Sequence, residues 1–128
     1  MKYIVDSNKS VAQAAADLAN AVAAQGFGVL HVYDLKQTLA SKGVELANDC
    51  RIFDICNPRQ ASKVLAGDMS LSVALPCRIA VYESGGRTHI ATLRPTELLA
   101  QLSDDPRLTD TAVDVQAAIE AMMDAAAH

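Results

Sequence analysis

Pro76-Cys77-Arg78-Ile79-Ala80-Val81-Tyr82-Glu83-Ser84-Gly85-Gly86-Arg87-Thr88-His89-Ile90-Ala91-Thr92-Leu93 is the stretch that decides the fold. Two short apolar segments, Pro76 to Glu83 and Arg87 to Leu93, flank Ser84-Gly85-Gly86. Glycines accept the positive φ of tight hairpin turns, so the two segments read as an antiparallel pair. Upstream of it, Cys56-Asn57-Pro58 marks a strand-to-helix junction. Asn57 is a favoured N-cap, and Pro58 suits the first helical position because its missing N–H would have no partner there. That helix runs to about Leu65, with Gly67 as its stop, and follows a strand over Arg51 to Cys56. A shorter helix begins at Asp34, continues through Lys42 and ends at Gly43.

Further upstream, Gly26 to Tyr33 reads as a strand with Phe27, Val29, His31 and Tyr33 on one face and Leu30 and Val32 on the other. Apolar residues on both faces predict a central strand. Ser7 caps a helix over 8–25 that Gly26 terminates. Its larger side chains, Val11, Ala15, Leu18 and Val22, form the core stripe. Ala12, Ala16, Ala19 and Ala23 form a smooth stripe that helix propensity explains, while Gln13, Asp17, Asn20 and Ala24 make the wet face. Met1 to Asp6 opens the chain as a strand. Downstream of the hairpin, Arg94-Pro95-Thr96-Glu97 starts a short helix through Leu102, and Ser103-Asp104-Asp105-Pro106 breaks it. A final helix over 110–127 buries Ala112, Val115, Ile119, Met122 and Met123. The order βαβαβαββαα predicts one α+β domain over 1–128, with helices covering a mixed or antiparallel sheet. A small Rossmann-like sheet ranks second, since no Gly-rich phosphate loop stands at a strand-to-helix turn.

Composition agrees with one core. The chain has 128 residues, of which 51% are hydrophobic, but 23 are alanine and none is tryptophan. The core is therefore aliphatic. No apolar run approaches the ~18 to 20 residues that span a bilayer. The opening residues show no basic leader or apolar signal segment, and three cysteines without a Cys-x-x-Cys suit free thiols in a reducing compartment. Both observations predict a cytoplasmic protein. Net charge is −4, with the acidic excess in residues 97–128, which hold seven acidic and one basic side chain. Clustered basic residues and stacking rings are missing, so no nucleic-acid partner is expected.

The residues that invite chemistry are Cys56-Asn57-Pro58 and Leu75-Pro76-Cys77. Cys56 lies just before a helix start, whose amides and positive dipole end favour an anion or a thiolate, with Arg59 adding charge of the same sign. Pro76 forces extended backbone on Leu75 and so fixes where the strand of Cys77 begins. A pocket built from the helix-start amides, Cys56, Cys77 and Arg59 or Arg78 would take a small anionic or sulfur-containing ligand, or a soft metal ion. His31 and His89 each fall within a strand, where a ring bonded to a backbone or carboxylate partner is the ordinary role. Either one near the two sulfurs would complete a Cys₂His site for Zn²⁺ or Cu⁺. Asp54 shares a strand face with Cys56 and reads as a solvated or capping carboxylate. Cys50, roughly 20 Å from Cys56 at ~3.3 Å per residue, stands apart.

Gly26-Phe27, Asp34-Leu35-Lys36, Cys56-Asn57-Pro58 with Ala61, Leu75-Pro76-Cys77, Val81-Tyr82-Glu83 and Gly85-Gly86 together resemble the bacterial and archaeal domain of unknown function 302 family. The resemblance covers about residues 1–125. It implies a compact α+β domain that forms homodimers and has no established biochemical role, with Cys56 and Cys77 matching the two motif cysteines. Three functional readings follow. The first is a ligand-binding or redox- or metal-sensing module using Cys56, Asn57, Pro58, Arg59 and Cys77. The second is a thiol enzyme handling sulfur species with Cys56 as nucleophile. The third is a structural or protein-interaction domain in which the cysteines are small buried hydrophobes.

Overall fold

A computed structural model describes all residues, 1–128. Its elements are β1 (Lys2–Ser7), α1 (Val11–Ala24), β2 (Gly28–Asp34), α2 (Leu35–Ser41), β3 (Cys50–Cys56), α3 (Pro58–Gly67), a 3₁₀ turn (Met69–Ala74), β4 (Cys77–Ser84), β5 (Arg87–Leu93), α4 (Pro95–Leu102) and α5 (Arg107–Ala127). The order is the one expected. The five strands form one sheet in the order β1-β5-β4-β3-β2, and every neighbouring pair is antiparallel. That overturns the Rossmann-like alternative, which requires parallel neighbours. Gly85 and Gly86 turn the β4–β5 hairpin at φ +62° and +75°, both in the left-handed region.

β2 is a correction. It is the edge of the sheet, not a central strand, and His31, Val32, Tyr33 and Leu30 are all exposed. Leu30 falls in a register shift between Val29 and His31, where the strand carries one more residue than its partner β3. The apolar character on both sides of β2 thus reflects an uncovered surface. The cap of α1 also moves, from Ser7 to Ser10, whose side chain accepts from the Gln13 amide. Ser7 is committed elsewhere, donating its hydroxyl to the Ala127 carbonyl at 2.8 Å. The last helix starts at Arg107, three residues before the expected 110, because Asp105 receives the Arg107 amide ahead of it.

α1 carries the chain from one sheet edge to the other. Five strands at ~4.8 Å spacing span about 19 Å, close to the length of a 14-residue helix at ~1.5 Å per residue. α1 and α5 pack together on one sheet face. Val11, Ala15, Leu18 and Val22 from α1 and Ile119, Met122 and Met123 from α5 meet Phe53, Ile55, Ile79, Val81 and Ile90 from the strands in the main core. Ala12, Ala16, Ala19 and Ala23 face solvent, as propensity alone would place them. A second, smaller core of Val64, Leu71 and Leu108, with Leu75 against it, joins α3, the 3₁₀ turn and α5. Between the two cores the sheet ends and the candidate site begins. No helix is long and apolar enough to cross a membrane.

Candidate functional site: a thiol-walled apolar cavity

β3 delivers Cys56 to the junction and α3 leaves from it. Asn57 has extended backbone, and its side-chain oxygen accepts from the amides of Arg59 at 3.1 Å and Gln60 at 3.2 Å. Pro58 has no amide to offer, and the Ala61 amide donates to the Asn57 carbonyl at 2.9 Å. Every donor of the first turn is therefore spent within the protein. The pocket imagined from sequence counted on those amides for an anion, and they are not free to bind one. Arg59 itself is exposed and lies off the cavity wall.

Leu75 is extended before Pro76, as expected, and Cys77 opens β4 opposite Ile55. Cys56 follows Ile55, so a single register step separates the two motif cysteines. Both line one cavity of about 460 Å³. Burial, with a smaller contribution from Cys56, pushes the Cys77 thiol up to about 11, the reverse of activation. Cys50 lies at the far end of β3 opposite Tyr82, off the cavity wall, with its thiol raised by burial and by Asp34.

The rest of the wall is mostly aliphatic: Val64 from α3, Leu75 at the end of the 3₁₀ turn, Leu98 and Leu102 from α4, and Val115 from α5. Val73 and Leu102 line the cavity and are also 81% and 44% exposed, so its mouth is apolar. Asn57, Gln60, Arg78, Thr92 and Thr111 are its polar members. The Gln60 Oε1 is buried without a hydrogen-bond partner. Sequence reasoning missed Gln60, Leu98 and Leu102, since only the tertiary approach of α3, α4 and α5 puts them together.

The histidines go elsewhere. On β5, His89 places Nδ1 2.7 Å from Asp6 Oδ1 and Nε2 3.1 Å from the Ser84 carbonyl. Both partners are acceptors, so only the doubly protonated ring satisfies both, and the Asp6 hydrogen bond leads in raising the His89 pKa. His31 stands on the exposed edge strand, edge-on to Tyr33 at 4.4 Å. No group of three or more His, Cys, Asp or Glu residues gathers to hold a metal ion, so the Cys₂His centre is not assembled. Asp54 is a correction too. Its side chain is 7% exposed and accepts from Arg78 Nε at 2.9 Å across β3 and β4. Asp54 and Arg78 share the sheet face turned away from α1 and α5. Arg78 also lines the cavity, with its Nε spent on Asp54.

No curated protein matches the chain. A solved structure does: the crystal structure of an uncharacterized conserved DUF302 protein from Bacillus stearothermophilus. It is 30% identical, superposes with a TM-score of 0.91, and the match covers 98% of this chain and 97% of that one. The family model for domain of unknown function DUF302 matches residues 3–126, a span that contains the cavity and all of the sheet but Lys2, and the chain therefore belongs to the DUF302 family.

Proposed function

We propose that the protein is a small-molecule-binding module whose ligand occupies the cavity between the β3–β4 strand ends and α3, with Cys56 and Cys77 against it. One observation carries the reading: two thiols from motifs about twenty residues apart meet on one concave apolar wall of about 460 Å³, within the roughly 300 to 1,000 Å³ of small-molecule sites. Two features favour binding over catalysis by Cys56. No histidine lines the cavity to act as base, and the first-turn amides that could form an oxyanion hole are already bonded. A soft ion held by the two sulfurs would have to deprotonate the raised Cys77 thiol and would find no third protein ligand. The reading needs reduced thiols, and a cytoplasmic setting supplies them.

Native mass spectrometry of protein purified without added metal tests this. A retained small molecule is expected, and Ala61→Phe, which adds a ring at a half-buried position on the wall, should remove it. Protein with no adduct, or an adduct that Ala61→Phe leaves in place, refutes the reading.

We also propose a homodimer formed through the sheet face turned away from α1 and α5. The register places Ile4, Ala91, Ala80, Ile52 and Tyr33 in one row across all five strands on that face. Ile4 and Tyr33 are 43% and 38% exposed, and Ala91 and Ala80 leave the middle of the row flat. The row carries no charge between the Asp54–Arg78 and Asp6–His89 pairs of the same face, and a second copy offers the same row, as a two-fold interface requires. Sedimentation velocity should give a dimer that Ala91→Glu converts to a folded monomer. A monomeric wild type refutes it.

A further inference from the structure

The chemistry of the wall narrows the occupant. Resting on the reading of the cavity as a ligand site, we propose that it takes a neutral, unbranched amphiphile: an alkyl chain of about eight to twelve carbons carrying one hydrogen-bond-donating head, such as an alcohol or amide. The volume sets the size. A methylene in a liquid occupies about as much space as a water, roughly 30 Å³, so about 460 Å³ holds at most ~15 non-hydrogen atoms. The wall sets the tail. Aliphatic side chains of α3, α4 and α5 surround the space, no aromatic ring other than Phe27 offers a stacking surface, and the exposed Val73 and Leu102 give an apolar path inward.

Charge sets the head. An anion would look for the amides of the α3 start, which Asn57 occupies, or for the Arg78 guanidinium on the wall, whose charge the buried Asp54 carboxylate balances by taking its Nε. A cation would look for a carboxylate, and none lines the cavity. One lining residue, Gln60, does carry an acceptor without a donor, its buried Oε1. A buried acceptor is costly to leave unpaired, and a hydroxyl or amide N–H on the ligand restores the missing bond. The tail then extends past Val64 toward Leu98 and Leu102.

Isothermal titration with 1-hexanol, 1-octanol, 1-decanol and 1-dodecanol reads the tail. Affinity should rise about threefold to fourfold per methylene and level off beyond about twelve carbons. Decyl methyl ether, which cannot donate, should bind about threefold to tenfold more weakly than decanol, and Gln60→Leu should abolish that preference while Ala61→Leu weakens both ligands. Decanoate and decylammonium, the charged comparators, should bind more weakly than decanol. Tighter binding of either charged ligand, no dependence on chain length, or an unchanged decanol preference in Gln60→Leu overturns the proposal. If no alcohol binds while native mass spectrometry shows an adduct that Ala61→Phe removes, the ligand class is wrong and the site stands. If neither is seen, both fall.

Discussion

Replacing Asn57 with alanine isolates the junction on which the site is built. Its side-chain oxygen receives two amides, those of Arg59 and Gln60. Pro58 brings none, so Asn57 caps alone. Losing such a cap costs about 1 kcal/mol, within a range of about 0.5 to 2. The upper half of that range is expected, because two donors lose their partner and α3 is only 10 residues long. For a domain of this size that is a fall in Tm of roughly 3 to 8 °C. Asn57→Asp should retain the cap, and Asn57→Gly should lose only a few tenths of a kcal/mol by the same rule. Urea unfolding of the four proteins gives the free energies.

A second arm separates capping from anion binding. In the wild type the amides are occupied, so sulfate should stabilise it no more than its general salting-out effect does. In Asn57→Ala the freed amides sit at a helix start, and sulfate should recover part of the loss. Equal stability of Asn57→Ala and wild type refutes the assignment of the cap. A sulfate response in the wild type that exceeds the variant's would mean that the α3 start binds anions with Asn57 in place.

Arg78→Ala leaves the Asp54 carboxylate buried without its partner and should destabilise by about 1 to 3 kcal/mol in urea, whereas Asp54→Leu with Arg78→Ala should cost less than Arg78→Ala alone. His89 has a folded-state pKa raised by Asp6 and the Ser84 carbonyl. Its stabilising contribution is therefore complete below about pH 6.5 and lost as pH rises through the higher folded value; an NMR titration should show the raised midpoint in wild type and its return toward 6.5 in Asp6→Asn. The Cys77 thiol, pushed up to about 11, holds about 300-fold less thiolate at neutral pH than an ordinary thiol of pKa about 8.5 and should alkylate with iodoacetamide correspondingly more slowly. The same shift gives stability present below about pH 8.5 that is lost as pH rises toward 11, and Cys77→Ser should remove that alkaline dependence.

The hairpin was legible because Gly85 and Gly86 leave the local backbone few choices, and the α3 start because Asn57 and Pro58 each favour one helical position. These are short-range effects, written within a few residues. β2 misled for a long-range reason: apolar side chains on both faces of Val29 to Tyr33 look identical whether helices bury them or no element does. Ser7 and Ser10 are equally good caps on paper, and only the approach of Ala127, 120 residues away, decides between them. Asp54 and its partner Arg78 are separated by 24 residues, and nothing near either one announces the other. The motif cysteines were visible as a pair, but the wall that gives them a setting comes from four separate elements, so its apolar character could not be read from the motifs.

The strand order β1-β5-β4-β3-β2 sets the sequence of assembly. The first two strands in the chain are not neighbours and occupy opposite rims, β1 against β5 and β2 against β3. The β4–β5 hairpin closes across two glycines and has the lowest loop-closure entropy in the sheet. β2 pairs with β3 across α2 and β3 with β4 across α3, while β1 has to wait for β5 from the far half of the chain. Hydrogen exchange should accordingly show the amides of Ile79, Val81 and Ile90 opening only with global unfolding, while those of β2 open first. A ligand seated at the β3–α3 junction would slow the opening of the central strands and leave the β2 rim unchanged, which makes the exchange pattern a map of where the ligand sits.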